Sequence, residues 1–283
     1  ANIRNGYESN TTHTSSGIIT IKDHIGTGRL AGIWATREPA INAIARHHKL
    51  ARARGTITLT TYGTGDGGNV IGIQGAGAIN AVAARGAYTI GNITITNRRQ
   101  NNKVYGIHST LTDSMLLVNL NNVHNLFDGL PSIIQTETGL ATQDIIATTV
   151  RGRFVSGTAS VSAFNAGVAY DETCTECAAQ PTVNGKIRIN QKGNGEAIGI
   201  SSANSAANVM LYYWDTDKQA TISGQITVYN AGDGSAYGMK AADWATSVLL
   251  PPVEFKNSTL QSTLTSKIIL KNTKLGTATG IYA

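Results

Sequence analysis

The chain has 283 residues, of which 14% are charged and 41% hydrophobic, with 31 glycines and a formal net charge of +6. So low a charged share, against ~25% in an ordinary globular domain, excludes a helical bundle laced with Glu and Lys, and the apolar content excludes a disordered chain. The mild positive charge permits weak attraction to anionic polysaccharide, nucleic acid or lipid surfaces without demanding it.

In chain order, residues 1–16 are polar and irregular and read as an N-terminal cap or extended arm, and residues 17–283 read as one repetitive domain. The repeat opens with Gly17-Ile-Ile-Thr-Ile21 and returns as Gly55-Thr-Ile-Thr-Leu59, Gly91-Asn-Ile-Thr-Ile95, Gly185-Lys-Ile-Arg-Ile189, Gly224-Gln-Ile-Thr-Val228 and Ser266-Lys-Ile-Ile-Leu270. Each copy is answered about fifteen residues on, by Ala31-Gly32-Ile33, Ile71-Gly72-Ile73, Tyr105-Gly106-Ile107, Ile198-Gly199-Ile200, Tyr237-Gly238-Met239 and Thr279-Gly280-Ile281. A third apolar run follows, at Ile41–Ile44, Met115–Val118, Val209–Tyr212 and Val248–Leu250, so a unit is three strands and three turns. The segment from Glu38 to Arg54 has helical features at its ends, but Ala40–Ala45 matches Ala78–Ala83, which favours a strand and a basic turn.

Unit starts at residues 17, 55, 91, 185, 224 and 266 are 38, 36, 94, 39 and 42 residues apart. The long interval has room for one or two degenerate units, with Pro131–Thr136 and Gly157–Val161 as candidate first strands, which makes about seven in all. In Thr56-Ile57-Thr58-Leu59-Thr60 the apolar residues share one face and the threonines the other, as in a strand with one wet side. Three such strands per unit, stacked unit on unit, predict an all-β parallel solenoid with its apolar positions inside a triangular tube. An antiparallel β-sandwich is the alternative. The glycines near Asp66-Gly67-Gly68 and Gly193-Asn194-Gly195 are expected to supply positive φ at tight corners.

The phrase Gly185-Lys-Ile-Arg-Ile-Asn-Gln-Lys-Gly193, followed by Ala197-Ile-Gly199-Ile200, resembles the repeat of autotransporter passenger domains, the secreted adhesins of Gram-negative bacteria, and so does Ala278-Thr-Gly280-Ile-Tyr-Ala283. The resemblance covers most of the chain outside about 110–184. It implies a right-handed β-helix, secretion or display at the bacterial cell surface, and a role in adhesion or self-association. The membrane barrel and the serine-protease module of that family are not among these residues, so any membrane attachment is expected only through an anchor outside them.

Chemistry-bearing motifs are few. Cys174 and Cys177 stand beside Asp171, Glu172 and Glu176, whose charges would raise the thiol pKa, so a structural disulfide closing a loop fits better than a redox pair. Gly63-Thr-Gly65-Asp-Gly-Gly68 matches a dinucleotide fingerprint, but a strand rather than a helix follows it, so it reads as a turn and no nucleotide is expected. Asp66 alone is a weak calcium ligand, and neither metal nor cofactor is expected. Arg46, His47, His48, Lys49, Arg52 and Arg54 form the most concentrated basic segment and are candidate contacts for an anionic polymer. Tyr212, Tyr213, Trp214, Asp215 and Asp217 are candidate carbohydrate contacts, and the two carboxylates would be the catalytic pair if the chain cleaved polysaccharide. With no nucleophile or zinc-hydrolase motif, the expected function is non-catalytic: an adhesin or scaffold meeting itself, a cell-surface glycan or a protein. The alternatives are a subunit of an extracellular filament or homo-oligomer and, further off, a polysaccharide-active enzyme.

Overall fold

The structure is a computed structural model and describes residues 1–5, 11–36, 40–46, 50–84, 86–110, 163–169, 178, 180–212, 219–249 and 262–283, apart from the side chains of Arg46, Ala84, Ala169 and Tyr212. Every strand pair among the described residues is parallel, so the repeats build a β-solenoid and the sandwich alternative falls. The first sheet holds β2 (His13–Asp23), β5 (Ala51–Thr61), β8 (Tyr88–Asn97), β11 (Thr182–Gln191), β14 (Thr221–Asn230) and β17 (Thr263–Asn272), stacked in that order. The second holds β3 (Leu30–Trp34), β6 (Val70–Gly75), β9 (Val104–Ser109), β12 (Ala197–Ser202), β15 (Ala236–Ala241) and β18 (Ala278–Tyr282). The third holds β1 (Ile3–Asn5), β4 (Ala40–Arg46), β7 (Ala78–Ala84), β10 (Ala163–Ala169), β13 (Ala206–Tyr212) and β16 (Ala245–Leu249).

Each sheet therefore has six rungs, about five turns of the chain, where the spacing suggested about seven units. The long interval adds no rung, because β8 pairs directly with β11, Gly91 opposite Gly185. The third strand of that coil is Ala163–Ala169, while Met115–Val118, Pro131–Thr136 and Gly157–Val161 lie outside the described residues. The segment expected as a cap is also partly structural: Ile3–Asn5 adds a rung against Ala43–Ala45, and residues 13–16 are the first part of β2.

Side chains alternate cleanly along the first sheet. Ile57, Leu59, Ile93, Ile95, Ile187, Ile189, Ile226 and Val228 are buried and stack in columns facing Ile73, Ile107, Ile200 and Met239 of the second sheet. The glycines of the answering phrases make room for them. A Cβ at Gly32 would lie 2.5 Å from Ile57 Cγ2, and one at Gly72 would lie 2.6 Å from Ile93 Cγ2 and 2.5 Å from the Gly106 carbonyl. The third sheet bends: Ala78, Ala163 and Ala206 enter this main core, whereas Ala81, Ala166 and Val209, three residues on, enter a second one with Val183 and Ile222. An asparagine sits at each of these bends: Asn80, Asn165 and Asn208.

Those asparagines belong to a buried ladder. Asn2 Nδ2 donates to Asn42 Oδ1 (3.0 Å), Asn42 to Asn80 (2.9 Å), Asn80 to Asn165 (2.8 Å) and Asn165 to Asn208 (2.9 Å). The same amide groups donate to the carbonyls of Gly17, Gly55, Gly91, Gly185 and Gly224 at 2.9–3.1 Å. Both donors of each amide are thereby used, as burial requires. The ladder also explains the glycine that opens the repeat: a Cβ at Gly55 would lie 2.5 Å from Asn42 Oδ1, and one at Gly185 equally close to Asn165 Oδ1.

The corners between the first and second sheets are glycine-rich for a related reason. Among the described residues the only glycine with positive φ is Gly195 (135°). Gly67 instead sits against the Arg99 side chain, where a Cβ would lie 2.6 Å from Cδ, and a Cβ at Gly68 would lie 2.7 Å from Arg29 N. Close stacking of one turn on the next, more than left-handed backbone, excludes side chains there. Arg99 is buried in this corner stack, ion-paired with Asp23 and donating from Nη1 to the carbonyls of Gly28 (2.5 Å) and Gly68 (3.1 Å).

Candidate functional surfaces

The outer face of the first sheet is built by register. Because Gly17, Gly55, Gly91, Gly185, Gly224 and Ser266 align, alternate residues fall into outward columns along the solenoid. One column reads Ile18, Thr56, Asn92, Lys186, Gln225, Lys267, and the next reads Thr20, Thr58, Thr94, Arg188, Thr227, Ile269. Across all the outward positions of the six strands the basic residues are Lys22 on β2, Arg52 and Arg54 on β5, Lys186 and Arg188 on β11, and Lys267 and Lys271 on β17; none is acidic. All seven cations are exposed. None of them forms an ion pair among the described residues. Arg54 lies 5.8 Å from the centre of the Tyr88 ring and Lys271 lies 5.6 Å from that of Tyr229. The face is rich in hydroxyl and amide groups, and its charges are all cationic.

The second sheet presents a different outer surface. One column, Ala31, Ile71, Tyr105, Ile198, Tyr237, Thr279, faces away from the main core yet packs into a small apolar cluster in which Ile71, Tyr105 and Ile198 are buried, and another runs Trp34, Gln74, His108, Ser201, Lys240, Tyr282. Tyr105 stacks on His108 with ring centres 4.5 Å apart, Tyr237 meets Tyr282 edge-on at 5.9 Å, and Lys240 lies 4.6 Å from the Tyr237 ring centre. Arg29 covers Trp34 at 4.3 Å. Glu196 sits between Lys103 (3.0 Å) and Lys240 (3.4 Å). Burial works to raise the Glu196 pKa, and the two ammonium groups outweigh it and hold the carboxyl below its usual value. Burial, reinforced by Arg29 and Lys103, pushes His108 down to about 4, so its imidazole is neutral at pH 7.

The residues expected from sequence divide unevenly. Arg52 and Arg54 lie side by side on the cationic face, and Arg46 ends β4; His47, His48 and Lys49 lie outside the described residues. Tyr212 ends β13, while Tyr213, Trp214, Asp215 and Asp217, like Cys174 and Cys177, lie outside the described residues. Gly63–Gly68 is a connection between β5 and β6, and Asn101 Nδ2 donates to Asp66 Oδ1 at 2.8 Å. Among the described residues no three His, Cys, Asp or Glu side chains are grouped to hold a metal. Lys186, Arg188, Lys267 and Lys271 are not conspicuous in the sequence because each sits in an ordinary polar slot of its own repeat; only alignment of the rungs shows them on one acid-free face.

No protein-family model matches the chain, and no curated protein or solved structure is significantly similar to it.

Proposed function

We propose that this chain is a non-catalytic segment of a secreted or surface-displayed bacterial adhesin or scaffold, acting in attachment or self-association in the manner its resemblance to autotransporter passenger repeats implies. The observation that carries this reading is the contrast between inward and outward positions. Interior positions repeat rung after rung, whereas the outward columns vary in chemistry on an unbroken face six strands wide. Such a face engages a partner through many weak contacts acting together. Beads coated with the purified chain should clump or adhere to cultured cells, and beads coated with heat-unfolded chain should not. Coated beads that stay dispersed and unattached, together with cleavage of any glycan on a polysaccharide panel, would replace this reading with the enzyme.

The filament reading is favoured by one specific observation. Among the described residues, exposed large apolar side chains gather on the terminal rungs: Ile18, Ile25 and Trp34 on the first, and Ile269, Leu275, Ile281 and Tyr282 on the last, with only Tyr62 elsewhere. Gly238 receives Ile268 of the following rung, whereas nothing lies within 4 Å of a Cβ at Gly280. A further coil stacked on the last rung, from a second copy or from a continuation of the chain, would fill that position with an isoleucine of the kind that Ile19 carries on the first. Light scattering across a concentration series should show growth that Gly280→Val abolishes; a mass independent of concentration would remove this reading.

A further inference from the structure

We infer that the outer face of the first sheet binds a linear anionic polysaccharide whose carboxylate or sulfate groups fall on alternate sugars. This rests on the reading of the chain as a contact-making surface protein and names the ligand of one face. The inference comes from the order of charges along the solenoid. One cation stands on β2, at the edge of the face, and from β5 onward they alternate: two on β5, none on β8, two on β11, none on β14 and two on β17. With ~4.8 Å between rungs, cationic rungs recur about every 9.6 Å. One rung is comparable to the advance of a single sugar in an extended glycan, so two rungs match a disaccharide.

The intervening rungs have the complementary chemistry. Asn92, Thr94, Gln225 and Thr227 offer neutral hydrogen-bonding groups for sugar hydroxyls, and Tyr88 and Tyr229 offer ring faces. From Arg52 and Arg54 to Lys186 and Arg188 the cations step toward the C-terminal ends of the strands; Lys267 keeps the Lys186 column and Lys271 lies one outward position beyond Arg188, which marks an oblique track across the face. The absence of any acidic outward residue among the six strands leaves that track free of repulsion toward an anion. A nucleic acid fits the same track less well, since each strand of a duplex carries a phosphate about every 3.4 Å and the neutral rungs would leave many of those charges unanswered.

The test is binding of the full chain to a hyaluronan decasaccharide, whose carboxylates fall on alternate sugars, with neutral dextran and a short DNA duplex in parallel. The wild type should bind the decasaccharide, lose it as salt rises, and ignore dextran. A variant carrying Arg52→Gln, Arg54→Gln, Lys186→Gln and Arg188→Gln should bind about tenfold more weakly, the combined effect of four exposed charge pairs at the weak end of their range. A second variant of equal net charge, with Arg4→Gln, Arg29→Gln, Lys103→Gln and Lys274→Gln away from this face, should bind as the wild type does. Equal losses in the two variants, no decasaccharide binding by the wild type, or tighter binding to the DNA duplex would each overturn the inference. Bead adhesion that survives the first variant would overturn it while leaving the adhesin reading standing; loss of bead adhesion with decasaccharide binding intact would do the reverse.

Discussion

The first five rungs and the sixth solve the same packing problem with different residues. In the first five, an asparagine on the third side of the solenoid is followed by a glycine on the first: Asn2 and Gly17, Asn42 and Gly55, Asn80 and Gly91, Asn165 and Gly185, Asn208 and Gly224. In the sixth, register places Ser247 in the asparagine column and Ser266 in the glycine column. Asn208 ends the ladder by donating to Ser266 Oγ at 2.7 Å. Where the carboxamide disappears, the ban on a Cβ disappears with it. The glycine follows from close approach to its asparagine partner, whose carboxamide and backbone carbonyl (2.4 Å at Asn80) would both meet a Cβ, and positive φ plays no part.

Breaking one partner alone in a middle rung should have the largest effect. Gly91→Ser drives a Cβ toward Asn80 Oδ1 (2.5 Å) and should cost about 3 kcal/mol through overpacking. The double change Asn80→Ser with Gly91→Ser copies the sixth rung and should recover about 1–2 kcal/mol of that in a denaturant-unfolding cycle. Strict additivity of the two changes would show that asparagine and glycine are not a coupled pair.

The opposite corner offers a parallel contrast. Register gives a column of Asp23, Thr61, Asn97, Gln191, Asn230 and Asn272, in which Thr61 donates to Asn97 (2.8 Å) and Asn97 to Gln191 (2.6 Å). Only its first member is ionised, and Asp23 answers the buried guanidinium of Arg99. The hydrogen bond from Arg99, helped by backbone donors, holds the Asp23 carboxyl below its usual value. Asp23→Asn leaves Arg99 without a counter-charge and should cost about 3 kcal/mol, near the lower end for a broken buried pair because Asp23 is partly exposed. The sign of the pH effect follows. Asp23 contributes fully above its unfolded pKa of ~3.9, and that contribution is lost as pH falls through the lower folded value. Unfolding profiles of wild type and Asp23→Asn should converge in that acid window; parallel profiles would assign the stabilisation to packing of Arg99.

The repeat period, the triangular core and the alternation of the first sheet were legible because each is local: a short run of one strand, such as Thr56–Thr60, shows which side is wet. The asparagine ladder was not. Its members lie at 15, 13, 11, 20 and 16 residues from their glycines, since the corner between third and first sheets varies in length, so no fixed spacing reveals the pair. The long segment between Ser109 and Ala163, on the second-to-third-sheet connection, hid the third strand of the long coil. Ala163-Phe-Asn165-Ala166 repeats the pattern of Ala40-Ile-Asn42-Ala43 and Ala78-Ile-Asn80-Ala81, a brief match set far from where the average period places it. The cationic face was half legible, as Arg52 and Arg54, because those two are neighbours in sequence and the rest meet them only through stacking.

A smaller effect separates His108 from the residue one rung before it in its column, Gln74. His108 stacks on Tyr105 and faces Arg29 and Lys103, and its Nδ1 is buried without a partner among the described residues. With a folded pKa of about 4, it stays neutral while the unfolded chain takes up a proton below ~6.5. Stability should therefore fall by roughly 1–2 kcal/mol between pH 7 and pH 5, on top of any change from other groups. His108→Gln should flatten that part of the profile, and an unchanged slope would place the acid sensitivity elsewhere.

The smallest effect belongs to the outward columns, and its smallness is informative. Lys186→Gln and Arg188→Gln together should shift unfolding free energy by no more than about 0.5 kcal/mol, since neither side chain is buried or ion-paired among the described residues. Other rungs already place Thr56, Asn92 and Gln225 in the Lys186 column with the same backbone register. The fold is thus indifferent to what stands there, while a charged ligand is not. A stability loss as large as that of Gly91→Ser would mean that the cations serve the solenoid itself, and the separation between a repeated interior and a freely varied face would fail.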